Sequence, residues 1–157
     1  FRSSGRIDTD TYTQDSGYVR GQTTPNGHYV GFTNNTRNIT NSTLGTFTMN
    51  SLYATAAWNI NLQIKFEAVA GGLVKGTKTV VNSDQTPLFV TLDANFQNID
   101  ALRITSWGGS DSGSPGGGTH VALDDLVYNE STSVPEMTNF IMVILLLCCS
   151  WFVKRIK

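Results

Sequence analysis

Leu62-Gln63-Ile64-Lys65-Phe66-Glu67-Ala68 decides the fold. Apolar and polar side chains alternate with a period of two, the signature of a strand that buries one face and shows the other to water. Leu62, Ile64, Phe66 and Ala68 belong to a core, and Gln63, Lys65 and Glu67 to solvent. Gly71-Gly72 turns the chain, and strands are predicted at Val74 to Val81, Leu88 to Leu92, Leu102 to Trp107 and His120 to Tyr128, separated by Asn, Asp, Gly and Pro. Upstream, Thr46-Phe47-Thr48-Met49 alternates and Leu52 to Trp58 is nearly apolar, so a half-buried strand and a more buried one are expected. Tyr18-Val19-Arg20 and His28 to Phe32 flank Thr24-Pro25-Asn26-Gly27, where Pro fixes φ and Asn-Gly accepts positive φ, predicting a hairpin. Asn34 to Thr43 reads as a polar loop, and Phe1 to Gln14 as either an edge strand or a disordered lead. Many short strands at this spacing predict an all-β fold, an antiparallel β-sandwich or jelly roll.

The chain of 157 residues is rich in Thr, Asn, Gly and Ser and poor in charge, which suits a turn-rich β-protein. Through Ser133 it carries eight basic residues against eleven acidic ones, a formal charge of −3. The basic residues are scattered, whereas nucleic-acid binding calls for a clustered patch; no nucleic-acid partner is expected. Both cysteines, Cys148 and Cys149, fall near the C-terminus, so residues 1–130 contain neither a disulfide nor a thiol nucleophile.

Beyond a single domain, 1–130, comes a linker, 131–137, and then a hydrophobic segment with a basic end, 138–157. The run from Phe140 to Val153 has no polar face of the kind a core helix shows. Fourteen residues span only about 21 Å of helix, but extension back to Met137 gives a thin or tilted transmembrane span with Trp151 at the interface. Lys154, Arg155 and Lys157 are the cytoplasmic flank by the positive-inside rule. The sequence begins at Phe1 with no export signal, and reads as a fragment or processed form.

Val134-Pro135-Glu136, the hydrophobic segment and the basic end resemble the PEP-CTERM sorting signal of Gram-negative bacteria, with Met137 where that motif carries its second Pro. The resemblance implies export, transient anchoring in the inner membrane, cleavage near the motif by the protease-transpeptidase exosortase, and delivery to the cell surface or matrix beside exopolysaccharide. Residues 16–129 also resemble the β-sandwich of many such proteins, through Ser16-Gly17-Tyr18, Ala56-Ala57-Trp58-Asn59 and Ala122-Leu123-Asp124-Asp125-Leu126. That second resemblance implies a binding or adhesive module.

Among residues that carry chemistry, Asp124 and Asp125 interrupt an apolar strand, and alternation sends one of them inward. A buried carboxylate needs compensation, either from a structural calcium ion, with Asp8, Asp10 or Asp111 as further oxygen donors, or from backbone N–H groups at a bulge. The glycine-rich stretch from Gly108 to Thr119 lacks the Lys and hydroxyl pattern of a phosphate loop and reads as a mobile rim. Beside it, Trp107, with Asp111, forms a candidate sugar site, whereas Trp58 belongs to the core. Glu67 and Glu130 are the only glutamates before the tail, and His28 and His120 show no zinc spacing or nucleophile elbow. No catalytic residue and no cofactor beyond that calcium are expected. Asn34, Asn38, Asn41 and Asn129 each open an Asn-x-Ser/Thr triplet, which matters only for a eukaryotic type I membrane protein. The expected role is a surface or matrix structural and binding protein, the alternative a permanently anchored carbohydrate-binding module, and the third a glycoside hydrolase.

Overall fold

The computed structural model describes residues 5–12, 15–23, 29–43 and 45–129. The sorting motif, the hydrophobic segment and the basic end lie outside these residues, as does the turn Thr24 to Gly27. No helix among the described residues is long and apolar enough to cross a membrane.

Eleven strands build the domain: β1 (Gly5–Asp8), β2 (Tyr29–Thr33), β3 (Thr36–Thr40), β4 (Met49–Ala56), β5 (Asn59–Ile60), β6 (Leu62–Ala70), β7 (Leu73–Asn82), β8 (Leu88–Thr91), β9 (Ala101–Trp107), β10 (Ser110–Asp111) and β11 (Val121–Tyr128). Among the described residues, helix is limited to α1 (Gly17–Arg20) and one 3-10 turn (Ala94–Phe96). A five-stranded sheet ordered β1-β2-β11-β4-β8 faces a four-stranded sheet ordered β3-β9-β6-β7, with β10 and β5 pairing at one end. All described pairings are antiparallel, and the result is a β-sandwich.

The core lies between the sheets. Leu52, Ala54 and Ala56 of β4 and Val121 and Leu123 of β11 meet Leu62, Ile64 and Phe66 of β6 and Leu102 and Ile104 of β9. Alternation on β6 is therefore as expected, and Gln63, Lys65 and Glu67 take the outer face. Each fully buried large aliphatic or aromatic side chain stabilises the fold by roughly 1.5–3 kcal/mol, so this shared interior dominates the folding energy. At one end Phe47 and Ile99 exchange backbone hydrogen bonds of 2.9 and 2.8 Å between the segments entering β4 and β9. Along the β7 edge, Lys78 Nζ reaches across to the Thr91 carbonyl of β8 at 2.7 Å. At the β6–β7 hairpin, Gly71 and Gly72 take φ of +57° and +78°, which glycine adopts at no steric cost.

Three segments differ from expectation. Tyr18-Val19-Arg20 is not a hairpin strand but part of α1: Ser16 caps it by accepting from the Tyr18 N–H, and β2 pairs instead with β1 and β11. Tight packing enforces that path, since a Cβ at Gly17 would stand 1.7 Å from the Ala56 carbonyl oxygen. Within Asn34 to Thr43, read as a loop, β3 pairs with β9 over five residues around one buried anchor, Ile39. Gly5–Asp8, in the stretch left open between two readings, is an edge strand.

The segment carrying α1 lies over the outer face of the five-stranded sheet. Tyr18 and Trp58 form a second apolar cluster there with Val30 and Ala122, the latter facing away from the main core. Half of that outer face is thereby covered.

Candidate functional site

The uncovered half of this face holds a row of side chains in register across three strands. Asp124 of β11 stands opposite Tyr53 of β4, and Tyr53 opposite Phe89 of β8. These positions alternate with the core residues Leu123, Leu52, Ala54 and Val90, so all three side chains face outward. The rings of Tyr53 and Phe89 pair at 5.0 Å between centroids, tilted by 47°. Phe89 is 51% exposed, a large apolar surface left in water on a sheet with an interior available to it.

Asp124 borders the aromatic pair and is only half-buried, while Asp125 is exposed, so neither enters the core. Alternation with Leu123 turns Asp124 outward, and a bulge keeps its neighbour out: Asp125 takes φ of +47° and the β11–β4 register shifts after Asp124. Asp124 Oδ2 accepts from the Thr23 N–H at 2.7 Å and the Thr23 hydroxyl at 2.9 Å, and Asp125 Oδ2 accepts from the same hydroxyl at 3.1 Å. These carboxylates thus tie the exit of the α1 segment to the last strand. Asp8 Oδ1 accepts from the Asp10 N–H within its own turn. Among the described residues no three His, Cys, Asp or Glu side chains are grouped to hold a metal ion.

Trp107 stands at the end of β9, on the outer face of the opposite sheet. Gln63 of β6 lies directly across from it, and Val81 of β7 across from Gln63. Trp107 is 38% exposed and Val81 57% exposed. Asp111 does not join this row: it lies on β10 opposite Asn59, with Oδ1 accepting the Gly113 N–H at 2.9 Å. Glu67, also on the outer face, is engaged by Lys65 at 3.1 Å and Arg103 at 3.7 Å.

The stretch from Gly108 to Thr119, expected to be a mobile rim, is anchored by a residue absent from the sequence reading. Asp84, in the β7–β8 connection, has no exposed surface. Its Oδ2 accepts from the hydroxyls of Ser112 at 2.7 Å and Ser114 at 2.8 Å and from Arg20 at 3.3 Å; its Oδ1 accepts from Gln85 Nε2 at 2.9 Å. Burial alone would raise the Asp84 pKa, but these donors and the Arg20 charge prevail and hold it below the ordinary carboxylate value. Gly116 completes the anchorage, lying so close over Trp58 that a Cβ there would stand 2.4 Å from the indole. Trp58 is accordingly buried, as expected, but in the cluster under the α1 segment rather than between the sheets.

His120 sits beneath the α1 segment, where its Nδ1 and the Tyr18 hydroxyl share a hydrogen bond of 2.5 Å and its ring stacks on Phe32. Burial pushes the Tyr18 phenol far up and the imidazole below its ordinary value, so the pair is neutral. His28 lies outside the described residues.

No family model matches the chain, and no curated protein matches it. Among solved structures, the chain is similar to TmCBM61, determined in complex with beta-1,4-galactotriose, with 9% identity, a TM-score of 0.45, and coverage of 80% of this chain and 81% of that one.

Two predictions follow from the buried polar groups. Asp84→Ala, which removes the buried carboxylate that accepts from Arg20 and two serine hydroxyls, is expected to cost about 3 kcal/mol in chemical denaturation, whereas Asp15→Ala, at the 79% exposed partner of Arg20, costs under about 1 kcal/mol. For His120 the unfolded chain takes up its proton near the ordinary value of 6.5 and the folded chain only at lower pH. Stability is then level above that value and falls as the pH drops below it; in thermal melts from about pH 7.5 to about pH 5, His120→Asn flattens this part of the profile.

Proposed function

We propose that the protein is a non-catalytic carbohydrate-binding β-sandwich that takes neutral polysaccharide on the outer face of its five-stranded sheet. The observation that carries this reading is the in-register row Asp124–Tyr53–Phe89, in which a half-buried Tyr53 ring backs an exposed Phe89. An aromatic face is the negative pole of a quadrupole, and the C–H groups on one side of a pyranose ring carry the complementary partial charge. Stacking there buries the apolar side of the sugar while its equatorial hydroxyls reach outward. Asp124, at the edge of the platform, supplies a carboxylate acceptor for such a hydroxyl, and its bonds to Thr23 hold it in place. A few polar groups around an apolar contact are the usual composition of a ligand site. Asp124 and Asp125 also set the charge preference: with two carboxylates on the rim, polymers rich in uronic acid are repelled.

The tail completes the reading as a placement device. Val134-Pro135-Glu136 and the hydrophobic segment resemble a sorting signal, so the sandwich is exported and held at the membrane, then either retained there or released by exosortase to the surface or matrix. No catalytic step is assigned to the chain.

Binding is checked on a glycan array with the full chain in detergent, followed by affinity electrophoresis in β-1,4-galactan, galactomannan and hydroxyethyl cellulose. Wild-type protein is expected to be retarded by at least one neutral polymer and not by polygalacturonate, and Phe89→Ala to weaken that binding by about tenfold or more, equivalent to about 1.4 kcal/mol of lost contact. Retention unchanged in Phe89→Ala contradicts the assignment of the face. For the tail, mass spectrometry of the C-terminus after expression with an export signal separates the two fates: loss of the segment only in hosts with exosortase shows release, and an intact Lys157 in both shows a permanent anchor.

A further inference from the structure

The two exposed aromatic rows lie on opposite sides of the molecule. Asp124–Tyr53–Phe89 faces out from the five-stranded sheet and Trp107–Gln63–Val81 from the four-stranded sheet, with the shared core between them. Each row crosses three strands in register, and each sets an aromatic ring beside a group that hydrogen-bonds hydroxyls. In the second row that group is the Gln63 amide, which both donates and accepts and carries no charge. It lies against the backbone at Gly108, where Nε2 is 3.6 Å from the position of an added Cβ, so the amide borders the same strand end as the indole. Val81 extends the apolar strip on the far side of Gln63.

We infer that the protein is bivalent: Trp107, Gln63 and Val81 form a second site for the same neutral polysaccharide, and one molecule cross-links two polymer strands. This rests on the carbohydrate-binding reading above. A polymer seated on one face runs along the outside of that sheet, and to reach the other face it would have to fold back around the sandwich edge. The geometry therefore favours two separate strands over two contacts to one. Neutral polymer is the occupant that fits both faces, because Gln63 carries no charge, Lys65 on the same face is already paired with Glu67 at 3.1 Å, and the Asp124 rim repels an acidic chain. Bivalency gives a small exported domain a structural role without any further domain, since linkage between strands arises from two modest sites acting together.

The test uses the full chain at one molecule per detergent micelle, with β-1,4-galactan, galactomannan and hydroxyethyl cellulose as probes. Affinity electrophoresis reads binding; dynamic light scattering of dilute polymer reads cross-linking. Wild-type protein is expected to be retarded and to raise the scattering of the polymer that retards it. Trp107→Ala and Phe89→Ala, both at exposed positions and checked by thermal melting for an intact fold, are each expected to remain retarded but to lose the rise in scattering, and the double variant to lose both. A scattering rise that survives either single variant, or retardation abolished by one variant alone, overturns bivalency while leaving carbohydrate binding in place. Absence of retardation by all three polymers overturns the carbohydrate reading itself, and bivalency with it.

Discussion

Every outward-facing feature of this protein follows from the division of each strand into two faces. The sheets surrender alternate side chains to one interior, led by Phe66 and Ile64 from β6, Ile104 from β9 and Leu52 from β4. The intervening positions must then face either water or a covering segment. On the five-stranded sheet the α1 segment covers one half, and Ala122 and Val30 disappear beneath Tyr18 and Trp58. On the other half the same alternation leaves Tyr53 and Phe89 uncovered. A one-residue slip of β8 against β4 would turn Phe89 into the core and Val90 out of it, so the platform is as well defined as the core.

A second constraint acts at one end of the sandwich. Asp84 is a carboxylate withdrawn from water, which is tolerable only because hydroxyls, an amide and a guanidinium surround it. The guanidinium comes from α1, the hydroxyls from the glycine-rich stretch after β9, and the amide from the adjacent Gln85. Satisfying one buried charge therefore fixes two connections at once, and the region next to Trp107 is built on that anchorage. Arg20 also bonds the Asp84 carbonyl at 3.1 Å, which holds the α1 segment at the same point. Entropy lost in ordering a glycine-rich loop is considerable, and several charge-assisted or buried hydrogen bonds are needed to offset it.

What the sequence disclosed, and what it withheld, separates along local and distant interactions. Period-two alternation located β6 and assigned its faces, and Asn, Asp, Gly and Pro between apolar runs delimited β7, β8, β9 and β11, because both patterns are written locally in the chain. The turn at Gly71-Gly72 was equally local. Tyr18-Val19-Arg20 misleads because three apolar or amphipathic residues have no period, and the deciding contact, Gly17 against Ala56, spans distant parts of the chain. In β3, strand pairing is carried by backbone bonds to β9 with only Ile39 buried, so composition reads as a loop. Asp84 was invisible for the same reason: its partners Arg20, Ser112 and Ser114 are 64, 28 and 30 residues away. Trp107 could be singled out as an aromatic at a strand end. Tyr53 and Phe89 could not, since Leu52 to Trp58 is apolar on both faces and only the pairing of β4 with β8 brings the two rings together. Asp124 and Asp125 drew notice as carboxylates in an apolar strand, yet the positive φ at Asp125 that keeps the second of them out of the core leaves no mark in the sequence.

The most direct test of the account is a residue-resolved NMR titration of the isotope-labelled full chain in detergent micelles with an oligosaccharide of the polymer that retards it. The account predicts saturable shifts concentrated at Tyr53, Phe89 and Asp124 and, separately, at Trp107 and Gln63, with the core residues between the sheets undisturbed. Shifts confined to other surfaces, or none at any sugar concentration, would contradict it.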